Sequence, residues 1–197
     1  MPYIAINRDT GERIDITKLD DPRAELTPGT LICQLEDCRQ EMVVVAGLIK
    51  RHHFRHKSEC PTEYNYHPES PEHLDGKACV AEQMDEWFSE FTGAHAEFEV
   101  PVKEVSRIAD VMFTFPNGWQ WACEVQLASI TTQSLSDRTK DYLRAGVDTL
   151  WMLGGAANTT ANRQWLQDNN GYYCELESHG PAQLDRDNVV RAIHQSS

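Results

Sequence analysis

No apolar run in this 197-residue chain approaches the ~20 residues that a helix needs to cross a bilayer. No basic stretch followed by a greasy one opens it, so no export signal is read and the cytoplasm is the expected compartment, with no membrane partner. No internal repeat is found, which argues against a solenoid or an array. Positive charge is scarce: 18 Lys and Arg stand against 31 Asp and Glu, a net charge of −13. Phosphate contacts need basic surface, so the total speaks against a protein that grips a polyanion. The deficit is uneven, however, because Lys50-Arg51-His52-His53-Phe54-Arg55-His56-Lys57 is locally very basic. Hydrophobic side chains make up 40% of the chain, enough for one ordinary domain or a domain with a small module attached.

Six cysteines in a chain without an export signal point to metal ligands or buried thiols rather than to disulfides. They fall into two groups. Cys79, Cys123 and Cys174 lie in apolar segments and are expected in the core, where a free thiol behaves as a small hydrophobe. Cys33, Cys38 and Cys60 sit among histidines. Cys33 and Cys38 flank a tight loop, Met42 to Ala46 reads as a strand, Gly47 as a turn, and a partner strand from Leu48 delivers His53-Phe54-Arg55-His56 ahead of Cys60. Tetrahedral zinc needs four soft or borderline donors brought together from two short loops. Cys33, Cys38, His56 and Cys60 supply them, with His53 as the alternative ligand. Such a Zn²⁺ site is structural: it folds a segment whose own core is too small.

The stretch from Arg107 to Gln126, RIADVMFTFPNGWQWACEVQ, reads as two antiparallel strands joined by Pro116-Asn117-Gly118. Pro suits the first corner of the turn, Asn the second, and Gly the left-handed position that follows. A three-residue loop pairs Phe115 with Trp119, and counting outward sets Asp110 opposite Glu124 on one face, with Gln126 two residues further along. Opposed like charges destabilise a sheet unless something offsets them, and a divalent cation would. Two other readings stand beside this one. A two-residue Asn-Gly loop pairs Asp110 with Val125 and sends Glu124 to the other face. The acids can also be the solvated side of strands whose buried side carries Ile108, Val111, Phe113 and Val125.

Elsewhere the chain alternates elements. Tyr3 to Arg8 and Arg13 to Thr17 read as an opening hairpin. After Pro61 comes a loop, then Ser70-Pro71, a good N-cap and first helical residue. Leu74, Ala78, Ala81, Met84, Phe88 and Phe91 recur at helical steps, with His73 and Lys77 one turn apart on a shared face. Ala96 to Lys103 is a strand, Ser129 to Arg144 a helix in which Leu135, Tyr142 and Leu143 pack, and Thr149 to Leu153 a strand. Asn158 to Gln167 is a helix, Tyr172 to Leu176 a strand and Val189 to His194 a last helical turn. The order predicts an α/β or α+β domain, a mixed sheet flanked by helices.

Taken together, the opening hairpin, the Cys pair ahead of HFRH, and EHLDGK, RIAD, EVQ and RTKDYLRAG before LWML form an ordered set over most of Tyr3 to Leu153. In this set the chain resembles the competence protein CoiA family, whose nuclease-like domain belongs to the PD-(D/E)XK endonuclease group. The resemblance implies a restriction-endonuclease-like domain over residues 63–197 behind a zinc-ribbon-like β module over 1–62. It implies a metal-dependent nuclease that acts on DNA, single-stranded or branched, during uptake or recombination, beside recombination proteins. Asp110 and Glu124 match the group's acidic positions, and Gln126 stands where the group normally has Lys. The cys pair is separated by four residues where the family often has two.

Physical chemistry gives the same assignment a reason. Hydrolysing a phosphodiester needs a metal to polarise phosphate and activate water, and hard oxygen ligands favour Mg²⁺ or Mn²⁺. Asp110 and Glu124 are the expected ligands, helped by the carbonyl of Val125. Gln126 positions water, while Lys77, with His73, stabilises charge on phosphate. Arg107 and Arg138 hold flanking phosphates. Two non-enzymatic readings compete: a degenerate nuclease fold that binds DNA or protein, favoured by the missing Lys and the acidic surface, and a zinc module acting alone as an interaction unit. Nothing in the sequence sets the oligomeric state.

Overall fold

The computed structural model describes residues 2–47, 51–60, 70–169, 171–177 and 180–181, with side chains as far as residue 171 and at Tyr173. Leu48–Lys50, the stretch 61–69 and the helical turn expected at Val189–His194 lie outside the described residues. The chain divides into two compact units, Met1–Asp75 and Gly76–Ser197.

In the first unit, β1 (Ile4–Asn7) and β2 (Arg13–Asp15) form the opening antiparallel hairpin, Ala5 opposite Ile14. The Asn7 side chain holds the turn by accepting the N–H groups of Asp9 and Thr10, the local bonding that suits Asn to turns. A one-turn helix α1 (Pro22–Glu25), capped by Asp21, leads to β3 (Leu31–Ile32), which pairs with β1. A two-stranded ribbon follows, β4 (Met42–Val45) against β5 (His53–His56), with Met42 opposite His56.

Helix α2 (Pro71–Trp87) begins in the first unit and ends in the second. Ser70 accepts the His73 N–H through its hydroxyl, and Pro71 occupies the first turn. Leu74, Ala78, Ala81 and Met84 are buried, as their spacing requires. Phe88 and Phe91 lie just beyond the helix in tight turns rather than within it.

The second unit holds β6 (His95–Val102), β7 (Arg107–Thr114), β8 (Gln120–Gln126), α3 (Thr132–Arg144), β9 (Asp148–Gly154), α4 (Thr160–Asp168), β10 (Tyr172–Glu177) and β11 (Gly180–Pro181). Its sheet runs β11-β10-β9-β8-β7-β6. The meander β6-β7-β8 is antiparallel, while β9 and β10 run parallel and are reached through α3 and α4. This is a mixed α+β architecture with helices on the sheet. Among the described residues, no helix is long and apolar enough to cross a membrane.

Alternation along β7 and β8 decides what each helix meets. Phe113 and Trp121 lie 5.4 and 6.3 Å, ring to ring, from Phe88 at the end of α2. A Cβ on Gly76 would come within 2.8 Å of Val125 Cγ1, so this mid-helix glycine lets α2 lie close to the sheet. Met112 and Ala122 pack instead with Tyr142 of α3. The two helices therefore cover opposite faces. Leu143, expected in the core, points to solvent and is 52% exposed. Cys123 is buried and Cys79 half-buried; the side chain of Cys174 lies outside the described residues.

Candidate metal centre and active site

Two clusters stand out, one in each unit. In the first, the loop after β3 folds Cys33 and Cys38 toward the ribbon: Cys33 N–H bonds the Gln40 carbonyl, and Cys38 N–H the Leu35 carbonyl. His56 ends β5 and Cys60 follows four residues later. The donor atoms of Cys33, Cys38, His56 and Cys60 all lie within 4.8 Å of one another. Cys38 Sγ is 3.2 Å from Cys60 Sγ and 3.6 Å from His56 Nε2. Tetrahedral zinc with Zn–S near 2.3 Å sets donors roughly 3.5–4 Å apart, so three thiols and an imidazole at these separations could bind zinc. His53 is not part of this group. It stands three residues from His56 on the same strand and so faces the other way, buried, with Nδ1 donating to the Arg51 carbonyl at 3.0 Å. Burial pushes the Cys33 thiol well up, with Cys38 and Cys60 adding to it, and lowers the His56 pKa. A cation would reverse the first effect by stabilising thiolate.

The second cluster sits on β7, β8 and α3. The turn is the three-residue one: Phe115 N–H bonds the Trp119 carbonyl at 2.8 Å, and Gly118 takes φ +85°. The ladder runs from Thr114 opposite Gln120 to Val111 opposite Cys123, and Asp110 and Glu124 are the next residue beyond it on each strand. The Asp110 carboxylate turns toward β8 and accepts the Val125 N–H at 2.9 Å. Glu124 is 1% exposed and has a partner on each oxygen. Tyr142 donates its hydroxyl to Oε1 at 2.6 Å, and Arg138 donates to Oε2. A second Arg138 nitrogen bonds Gln126 Oε1 at 3.3 Å, while Gln126 Nε2 donates to the Ala128 carbonyl.

Arg138 and Tyr142 are one helical turn apart on α3, which places both on the same carboxylate. The guanidinium also lies 5.2 Å over the Trp151 ring of β9. Burial works against its charge, but Glu124, Asp110 and Tyr142 outweigh it and hold its pKa above the ordinary value. Burial, and then Glu124, pushes the Tyr142 hydroxyl well up, so it stays a donor.

Lys77, expected as a phosphate-facing cation, points elsewhere. It is fully buried and bonds Glu99 Oε1 at 2.7 Å. Glu99 is itself 5% exposed, with a left-handed φ of +53°. It lies between Phe98 and Val100, which pair with Val111 and Ala109 of β7, and it is met from α2, whereas Glu124 is met from α3. His73 is half-buried near the start of α2. Arg107, expected on phosphate, is paired with Asp141 at 2.6 Å, and Arg144 bonds the same carboxylate. The sequence reading assigned no chemistry to Tyr142, Glu99 or Trp151. The i, i+4 step from Arg138 could have pointed to Tyr142. Nothing distinguishes Glu99 from an acid on a solvated strand.

The model for "Competence protein CoiA, nuclease-like domain" matches residues 69–184, which takes in every residue of this second cluster and extends beyond Leu153, where the motif resemblance ends. The first cluster lies outside the match. The competence protein CoiA of Bacillus subtilis (strain 168) is 29% identical over 117 residues, 59% of this chain and 30% of that protein. The chain thus spans less than a third of the relative's length. No solved structure matches it. With more than half of its residues under the family model, the chain belongs to the family of the CoiA nuclease-like domain.

Proposed function

We propose that the chain is a Mg²⁺- or Mn²⁺-dependent nuclease of PD-(D/E)XK type that hydrolyses phosphodiester bonds in DNA. Its N-terminal unit would be held by Zn²⁺ on Cys33, Cys38, His56 and Cys60. The reading is supported by Asp110 bonded to the Val125 N–H beside Glu124, with both carboxylates acting on the Arg138 guanidinium inside a nuclease-like domain. Two carboxylates and a side-chain amide are hard oxygen donors, the set that suits Mg²⁺ or Mn²⁺. Such an ion, when bound, would polarise phosphate and lower the pKa of an attacking water.

The chain's own residues have distinct tasks in this reading. Tyr142 fixes the Glu124 carboxylate, and the Val125 N–H fixes that of Asp110. Gln126 orients water beside Glu124. Arg138, which bonds Glu124, holds the substrate phosphate, a role Arg suits through its planar fork of donors. Arg107 reaches phosphate only by leaving Asp141. Lys77 positions β6 through Glu99 rather than meeting substrate. Competence gives the setting: DNA, single-stranded or branched, in the cytoplasm.

Purified protein incubated with linear, nicked, single-stranded and branched DNA, with Mg²⁺ or Mn²⁺, tests this. Cutting lost in Asp110→Ala and Glu124→Ala is the expected result; cutting that survives either substitution overturns the site. A second reading is favoured by the Arg138–Glu124 contact and by Gln126 in place of Lys. There the guanidinium substitutes permanently for a metal, and the fold binds DNA or protein without cutting. DNA retained at low salt but uncut in either metal is its signature.

A further inference from the structure

Resting on the metal-dependent reading above, we propose that Arg138 is the resident counter-ion of the acidic site and must leave Glu124 for a divalent cation to bind. Cation entry and the release of an arginine toward phosphate are then one event.

The geometry argues for this in four ways. Both Glu124 oxygens are occupied, but by partners of different kinds. Tyr142 is a buried neutral donor locked in the core, which can stay and orient the carboxylate. Arg138 is a cation on a long side chain that is still 27% exposed, so it has a route out. It occupies Oε2, so a cation held by Glu124 and Asp110 would compete with it for that carboxylate. Third, its Nε is buried without a hydrogen-bond partner among the described residues, a poor fit for a permanent ion pair. Fourth, the guanidinium packs on the buried Trp151 ring, an attraction that tolerates a range of positions within about 6 Å of the ring centroid.

Charge explains what the exchange achieves. Asp110, Glu124 and Arg138 together leave the site with a net negative charge, in a chain that carries −13 overall. Such a site repels a phosphodiester. A divalent ion reverses the local sign and at the same time frees the guanidinium. DNA is admitted to the loaded site only.

The test is Mn²⁺ binding by the full chain, read as free Mn²⁺ by electron paramagnetic resonance, for the wild type, Arg138→Gln and Arg138→Lys. Binding that survives Glu124→Gln is counted as belonging elsewhere. Arg138→Gln is expected to bind Mn²⁺ about tenfold more tightly or better, since it removes a competing charge within contact distance. Arg138→Lys, which keeps the charge, should fall between the two. Mn²⁺ should also change the tryptophan emission of the wild type, and this change should vanish in Trp151→Phe and in Arg138→Gln. Equal Mn²⁺ affinity in wild type and Arg138→Gln overturns the exchange while leaving the metal site intact. So does weaker binding by both Arg138 variants. No Glu124-dependent binding by any of the proteins overturns the metal site and the exchange with it.

Discussion

The two clusters solve opposite problems. Cys33, Cys38, His56 and Cys60 converge where secondary structure is sparse: a two-residue strand, a four-residue ribbon and loops between them. Three mutually close thiols stand there beside one imidazole, a set of donors that could bind zinc. Asp110 and Glu124 sit within a six-stranded sheet, with Arg138 reaching Glu124 from α3, among Trp121, Trp151, Tyr142 and Phe113, all fully buried. Here the fold comes first and forces charges together. Each of the three acids Glu99, Asp110 and Glu124 is met by a protein donor: Lys77 on Glu99, the Val125 N–H on Asp110, Tyr142 and Arg138 on Glu124. One centre would make its structure; the other is made by its structure.

Removing zinc should separate them most sharply. Chelation, or Cys38→Ser, is expected to abolish amide protection in β4 and β5, because structural zinc contributes an apparent ~10–16 kcal/mol in small modules. Cys123 and Val125 in β8 should keep theirs. Hydrogen exchange read by mass spectrometry checks both at once, and protection of the ribbon that persists in zinc-free protein would break the contrast.

Within the second unit the largest effect should come from Lys77→Met. It leaves Glu99 charged and buried without its cation, a loss of about 3–5 kcal/mol. Chemical denaturation should show that Lys77→Met with Glu99→Leu recovers much of this; a double variant no better than the single would mean the lysine acts through packing alone. Tyr142→Phe removes one hydrogen bond to a buried carboxylate and should cost about 1.5–3 kcal/mol. If the hydroxyl also orients Glu124, Mn²⁺ affinity should fall in parallel.

The smallest expected effect concerns the ion pair between Asp141 of α3 and Arg107 at the start of β7. Burial raises the Asp141 pKa, but hydrogen bonds from Arg107 and Arg144 outweigh it and hold it below its ordinary value. A carboxyl depressed in the folded state contributes stability that is complete above its unfolded pKa of ~3.9 and is lost as pH falls through the folded value. Asp141→Asn should therefore be less stable than wild type near neutral pH and should lose less on acidification below pH ~4. Thermal melts across that range decide it; parallel curves would show that Asp141 contributes nothing.

Much of this was legible because it is local. The Pro-Asn-Gly turn specifies a three-residue loop through the left-handed glycine, and the loop sets the register from Thr114 opposite Gln120 to Val111 opposite Cys123. Periodicity found the buried face of α2, although the helix stops at Trp87 and Phe88 reaches the sheet from the turn beyond. The Cys and His spacing found its cluster because all four donors come from 28 consecutive residues. What the sequence does not reveal is the pairing of charges. Arg107, Arg138 and Lys77 read as surface cations waiting for phosphate, whereas each has a carboxylate partner between 14 and 34 residues away. No spacing rule connects such pairs.

The sequence alone determined the order of elements, the turn and the residues able to ligate, since backbone preference and side-chain periodicity act within a few neighbours. Tertiary structure alone decided which charges are answered internally. Crossing from β8 through α3 to β9 sets Arg138 and Tyr142 over Glu124, and the close approach of α2 at Gly76 turns Lys77 inward to Glu99. A buried charge must be compensated wherever packing leaves it, and packing joins residues that the chain keeps far apart.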